Sequence, residues 1–254
     1  MTVSSSFSGD LPAADDVTVD TLLRGRVTLL QPARGFRSSL DPLLLSAFVP
    51  PPFGRFLDIG CGTGALAFSL AALDPRARGV GIEIQPRLRA LAARALVRND
   101  FASRVELVEG DVRTSLGRAP LARGSFDLVA TNPPFRLVGG GVVSPDRERA
   151  QAHHEVTLTL TEWLDAAAAL MKPAGRLAVV FAAARLPELL AELGTRGLRA
   201  RRLRLVHPAP DRPAVRLLLE AQRGGERAFE VEPPLFLRGP AGHSHEVRRM
   251  LGEA

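Results

Sequence analysis

The stretch Leu57-Asp58-Ile59-Gly60-Cys61-Gly62-Thr63-Gly64 constrains this chain more than any other. An apolar run ends in alternating glycines, and an Ala- and Leu-rich helical pattern begins at once. Glycines at a strand-to-helix turn let the backbone bend sharply, and a ligand can approach main-chain N–H groups with no Cβ between them. A strand–turn–helix unit is therefore expected here, with a cofactor over the turn. Taken alone, the spacing discriminates poorly, because Gly60, Gly62 and Ala65 also satisfy the loose dinucleotide fingerprint.

Around this unit, short apolar runs alternate with longer amphipathic stretches, the pattern of parallel βαβ units. Expected strands are 55–59, 79–84, 105–109, 126–131, 176–181, 203–207 and 215–221; expected helices are 64–73, 86–100, 155–171 and 186–194. These make one doubly wound α/β domain with a seven-stranded, mostly parallel sheet over residues 55–254. Only about seven residues join the last two strands, too few for a helical crossover, so that pair is expected to run antiparallel. Residues 17–54 form a lead-in with a short apolar run at 27–30, a turn at 32–35 and a helix over 40–48, ended by Pro50, Pro51 and Pro52. Residues 1–16 are polar and aperiodic and are expected to be a disordered tail. The Gly-rich stretch 136–151 is expected to be an active-site loop.

Composition narrows the partners. Of 33 basic residues, Lys172 is the lone lysine, and the formal charge is +6 with a pI near 11.0. The first 23 residues hold four acids and no base, so residues 24–254 carry +10. A basic folded body suits a polyanionic partner. With 46% hydrophobic residues the chain can bury a core, and a disordered protein is excluded. Cys61, the single cysteine, makes no internal disulfide and builds no metal site with five scattered histidines, so no metal is expected. No secretory leader or membrane span is expected either, and the location is expected to be cytoplasmic.

Two further strand ends place carboxylates at the rim that holds the glycine turn. Glu83, after the second strand, can accept hydrogen bonds from both ribose hydroxyls of a nucleoside. Asp111, after the third, can accept from an adenine amine or can cap the helix that follows. The fourth strand runs into Asn132-Pro133-Pro134-Phe135. Two prolines fix φ and donate no N–H, which leaves rigid carbonyls free to accept. An exocyclic amine on adenine, or a carboxamide nitrogen, is a poor nucleophile because its lone pair is delocalised. If the Asn132 oxygen and the Pro133 carbonyl each accept one N–H, that nitrogen can pyramidalise as it attacks a methyl sulfonium in line, without a strong base or a metal. Phe135 can stack on the base, worth roughly 1–3 kcal/mol.

Together these segments resemble the class I S-adenosylmethionine-dependent methyltransferases with an Asn-Pro-Pro-aromatic motif. The lead-in segments Asp20 to Pro32 and Gly35 to Leu45, with Arg147 to Glu155, Lys172 to Leu177, His207-Pro208 and Glu246-Val247, resemble the bacterial tRNA adenine-N6 methyltransferases that modify A37 of valine tRNA. The likeness covers about residues 17–250. It implies a Rossmann-like domain with S-adenosylmethionine as cofactor and tRNA as partner. The cofactor would be held by Asp58, Gly60, Cys61, Gly62, Thr63 and Gly64. Glu83 would meet its ribose and Asp111 its adenine, with Ile84, Val112 and Asn132 alongside. Asp41, on a helix covering the pocket, would face the methionine end, and Asn132, Pro133, Pro134 and Phe135 would take the target base. Phe135 stands where many relatives carry Tyr, and His243-Ser-His245-Glu replaces their usual Tyr-Thr-Pro-Glu.

Arg37, Arg136, Arg147 and His154 are candidate RNA contacts near the pocket mouth, while His153 and His154 also fit a helix cap or plain exposure. The cluster Arg199, Arg201, Arg202 and Arg204 fits either phosphate contact or a solvated strand edge. Trp163 is expected in the core. Four rivals remain at this level, one of them a non-catalytic RNA-binding protein that has kept the fold. A protein-glutamine methyltransferase usually brings a helical domain ahead of the glycine turn, and a ribosomal RNA guanine methyltransferase a duplicated domain. A nicotinamide oxidoreductase accounts for the glycines and Glu83 but leaves Asn132 to Phe135 without a role.

Overall fold

A computed structural model describes residues 17–35, 37–133, 158–224, 228–240 and 242–253. The apolar runs form β3 (Arg55–Ile59), β4 (Arg78–Glu83), β5 (Val105–Glu109), β6 (Phe126–Thr131), β7 (Met171–Ala182), β8 (Leu198–His207) and β9 (Arg216–Arg223). Their order across the sheet is β5-β4-β3-β6-β7-β9-β8. β3 to β7 pair in parallel, while β9 runs antiparallel between β7 and β8. This is the expected seven-stranded α/β sheet with its antiparallel last pair. Two short strands, β10 (Glu230–Val231) and β11 (Leu235–Phe236), extend it in parallel along β8.

The strand order reverses between β3 and β6: from β3 the chain steps outward to β4 and β5, then returns on the other side. At such a switch point the two loops leave the carboxyl ends in opposite directions and open a crevice. The crevice lies between Gly60 and Asn132.

Helices cover both faces. On one side are α1 (Asp41–Phe48), α2 (Ala65–Leu73) and α3 (Pro86–Arg98), packed with Phe53, Phe56, Phe68 and Phe101. α2 is buried from Ala65 to Ala72 because it packs against the sheet, its neighbour α1 and β2. Burial of Leu66, Phe68 and Leu70 stabilises it by roughly 1.5–3 kcal/mol each. On the other face α5 (Leu160–Leu170), capped by Thr159 and Glu162, and α6 (Leu186–Thr195) enclose Trp163 and Phe181. Trp163 is fully buried, as its Ala- and Leu-rich setting predicts. α4 (Val112–Ser115) is a single turn after β5.

The lead-in departs from expectation. Residues 17–32 form an antiparallel hairpin, β1 (Val17–Leu22) with β2 (Val27–Pro32), rather than one short apolar run. Its turn places Leu23 and Arg24 at positive φ before Gly25, which carries no sequence signal because non-glycine residues rarely adopt that conformation. Asn99, capping the end of α3, fastens the hairpin: its Oδ1 accepts from the Thr28 N–H and its Nδ2 donates to the Thr28 carbonyl, both at 2.7 Å. After β11 come a small hairpin, β12 (Arg238–Gly239) with β13 (Gly242–His243), and α7 (His245–Leu251).

Among the described residues no helix is long and apolar enough to cross a membrane, and no group of three or more His, Cys, Asp and Glu side chains could hold a metal.

Candidate active site

The turn after β3 is built by glycine conformation. Gly60, Gly62 and Gly64 stand at φ of 72°, 55° and 92°. A Cβ on Gly64 would lie 2.4 Å from the Phe68 ring, whereas one on Gly60 would meet nothing within 4 Å. One glycine therefore serves packing, and the other leaves backbone open to the crevice. The Gly60 and Cys61 N–H groups both donate to the Ile82 carbonyl, at 2.9 and 3.0 Å, which ties the turn to β4.

Gly64 is the N-cap of α2 and has no side chain to cap it. Asp58 supplies the acceptor from within β3: its Oδ2 accepts from the Ala67 N–H at 3.0 Å. Burial raises the Asp58 pKa to about 7, partly offset by that hydrogen bond and reinforced by the nearby negative Glu83. Burial also pushes the Cys61 thiol up, so this cysteine is a packed, unreactive group. Glu83 ends β4 with both oxygens engaged by backbone: Oε2 accepts from Gly62 N–H and Oε1 from Gln85 N–H, each at 2.8 Å. A carboxylate oxygen has two lone-pair sites, so this clamp fixes the carboxylate and leaves it able to accept hydroxyls.

These groups open on one cavity of about 1350 Å³, its open mouth included. Asp58, Gly60, Cys61, Gly62, Thr63, Glu83, Ile84, Asp111, Val112 and Asn132 line it, as does Asp41 at the start of α1. Gly64 lies behind the wall. Asp111 is the N-cap of α4, accepting from Arg113 N–H at 2.8 Å, and Arg113's guanidinium grips both its oxygens. That grip, foremost, holds the carboxyl below the usual range. Of the two roles weighed for Asp111, the structure shows the cap; Arg113 occupies both of its oxygens at the cavity rim. Thr131 Oγ1, donating to the Ile59 carbonyl at 2.9 Å, locks the end of β6 beside the glycine turn. The next residue, Asn132, has its Oδ1 buried with no hydrogen-bond partner, as does the Oγ1 of Thr63. A buried polar atom left unpaired costs about 1–3 kcal/mol, and these two belong to residues that line the cavity. Pro133 is buried against the same cavity.

The remaining expectations divide. Pro134, Phe135, Arg136, Arg147, His153 and His154 lie outside the described residues. Arg37 reaches the cavity mouth, where it pairs with Asp20 at 2.6 Å and donates to the Pro32 carbonyl. The cluster on β8 is corrected for three of its four members, Arg199 being exposed: phosphate contact needs exposed guanidinium groups, and Arg201 is only 5% exposed, donating to the Gly224 carbonyl. Arg202 is engaged by Glu232, Glu220 and the Phe48 carbonyl and stacks 4.4 Å over the Phe48 ring. Arg204 pairs with Glu246 at 2.8 Å. Acids from β9 and the C-terminal segments neutralise a patch that looks open along the chain. Sequence reasoning missed Arg216, which opens β9, lines the cavity and donates through Nε to Asp41 Oδ2 at 3.2 Å.

The lining suits S-adenosylmethionine: acceptors for the ribose hydroxyls on Glu83, the Asp111 rim for the adenine, no side chain in the way at Gly60, and Asn132 on the far wall.

Comparison with known proteins agrees. The model of the methyltransferase small domain matches residues 39–193. A tRNA1(Val) (adenine(37)-N6)-methyltransferase of Porphyromonas gingivalis is 34% identical over 213 residues, 82% of each chain. Another of that name from Dickeya chrysanthemi is 34% identical over 188 residues, 73% of this chain and 72% of its own. Among solved structures, a predicted O-methyltransferase from Agrobacterium tumefaciens aligns with a TM-score of 0.67 at 26% identity, covering 84% of this chain and 97% of that one. The T. thermophilus 16S rRNA N2 G1207 methyltransferase, solved with AdoMet and guanosine, shares the fold at a TM-score of 0.54 and 22% identity, covering 82% of this chain and 50% of that one. The chain therefore belongs to the small-domain methyltransferases, in the group of the tRNA1(Val) (adenine(37)-N6)-methyltransferases.

Proposed function

We propose that this enzyme methylates the exocyclic N6 amine of an adenosine in the anticodon loop of tRNA, of the A37 type. The observation that carries the reading is the orphaned Oδ1 of Asn132. Asn132 lines a cavity whose opposite wall is suited to a nucleoside, one residue beyond a strand end locked by Thr131. S-adenosylmethionine supplies an electrophilic methyl on a sulfonium when bound. Asn132 accepts one N–H of the target amine, which draws the nitrogen lone pair out of conjugation as it pyramidalises; as the N–C bond forms the S–C bond would break to leave the thioether, and the extra N–H proton would pass to solvent. Pro133 has no N–H to compete for the amine and stiffens the chain that carries the acceptor. The target base must leave its stack to reach this wall, which costs least in a single-stranded loop. A tRNA substrate places the enzyme in the cytoplasm.

The test is mass spectrometry of nucleosides from tRNA incubated with the purified protein and S-adenosylmethionine. N6-methyladenosine is expected, and it should vanish when position 37 of a valine tRNA transcript is changed to guanosine. Methylation of a protein glutamine, or of guanosine in ribosomal RNA, with none on tRNA would refute the reading.

A further inference from the structure

The cavity wall is rich in carboxylates: Asp41, Asp58, Glu83 and Asp111. The cations lining it among the described residues are Arg37 and Arg216. Arg37 lies against Thr18, the Pro32 carbonyl and Asp20 of the lead-in hairpin. Arg216 lies deeper, its side chain 27% exposed, with Nε on Asp41 and Nη1 on the Val215 carbonyl at 3.0 Å. The Arg216–Asp41 pair joins residues 175 apart in the chain at the cavity wall.

Strand order gives the pair its meaning. Along the rim stand Asp111 after β5, Glu83 on β4, the glycine turn after β3, Asn132 after β6, then β7 and Arg216 on β9. A nucleoside with its base at Asp111 and its ribose at Glu83 sends the rest of its length toward β9. The target nucleotide, with its amine at Asn132, approaches from that same side. Both carry an oxyanion that must enter a cavity lined by acids, and a planar guanidinium held in place by Asp41 is suited to receive it.

We propose that Arg216 is the oxyanion anchor of this cavity. Oriented by Asp41, its guanidinium binds either the carboxylate at the amino-acid end of the cofactor or a phosphate beside the target nucleotide. This deepens the proposed function and rests on it.

The test compares wild-type, Arg216→Gln and Arg216→Lys proteins by calorimetry. The probes are S-adenosylhomocysteine, 5′-methylthioadenosine, which has a thioadenosine nucleoside but no amino-acid end, and valine tRNA; thermal melts accompany each titration. If the anchor holds the cofactor carboxylate, Arg216→Gln weakens S-adenosylhomocysteine ~10–100-fold, as loss of a charge-assisted pair should, and leaves 5′-methylthioadenosine within about twofold. If it holds a phosphate, both nucleosides are unaffected, while tRNA binds more weakly and its logarithmic salt slope falls by about one. Arg216→Lys should restore part of either loss, and it stands in if Arg216→Gln does not fold. Equal weakening of both nucleosides with a lowered melting temperature would make Arg216 only a tie for α1 and overturn the proposal; so would unchanged binding of all three probes. Failure of the wild type to bind S-adenosylhomocysteine would instead count against the proposed function.

Discussion

Replacement of Asn132 by Ala should separate stability from turnover. The Oδ1 of Asn132 is buried and unpartnered, so the folded protein gains no hydrogen bond from it and bears the cost of desolvating it. Removing such an atom relieves about 1–3 kcal/mol of desolvation, set against the loss of a few packing contacts, for a net effect near zero or slightly stabilising. The melting temperature of Asn132→Ala should therefore hold or rise. Affinity for S-adenosylhomocysteine should change by no more than about threefold, because ribose and adenine contacts lie on other strands. Turnover on tRNA should fall ~10²–10³-fold, the usual effect of removing one preorganised hydrogen-bonding group aimed at charge that develops in the transition state. Differential scanning calorimetry, isothermal titration and single-turnover methylation read the three quantities on one preparation. A clear drop in melting temperature, with activity down less than tenfold, would show that Asn132 is a structural residue and would refute the reasoning.

Gly64→Ala should destabilise by at least ~2 kcal/mol, since it forces a left-handed φ and drives a Cβ into the Phe68 ring; Gly60→Ala should cost only about half as much, and chemical denaturation of the two would check the contrast. Asp58→Asn should flatten the pH dependence of stability. With a folded pKa near 7 against the ordinary 3.8, the native state holds a proton that the unfolded chain releases, so wild-type stability declines between about pH 4 and 7 and levels off above. Melts of the ligand-free protein across that range should slope for the wild type and not for the variant; parallel slopes would count against the buried carboxyl. Arg202→Ala should leave tRNA affinity and its salt slope unchanged while lowering stability by ~1–3 kcal/mol, because Glu220 and Glu232 lose their partner. A reduced salt slope would reinstate it as an RNA contact.

The parts of this protein legible in its sequence are those with local causes. The turn at Gly60 to Gly64 needs glycine at positive φ, and strand period and connection length define the sheet and its antiparallel β9. Asn132 and Pro133 stand where the spacing of the fourth strand puts them. Illegible parts depend on partners distant in the chain. Arg201, Arg202 and Arg204 read as a basic patch because Gly224, Glu220, Glu232 and Glu246, which accept from them, lie 16 or more residues away. Arg216 is inconspicuous in a chain with so many arginines until Asp41 is seen beside it. Strands as short as β10 to β13 have no period to detect.

The hydrogen bond from Ala67 to Asp58 has one further consequence. Because an acceptor in the strand interior caps the helix, the loop between them needs no capping side chain, and a glycine can fill the N-cap. Holding up the scaffold and greeting the visitor are separate jobs, done by different residues. Loss of Asp58's acceptor should therefore loosen the doorway from behind, fraying the first turn of α2 while the Gly60 and Cys61 ties to Ile82 hold.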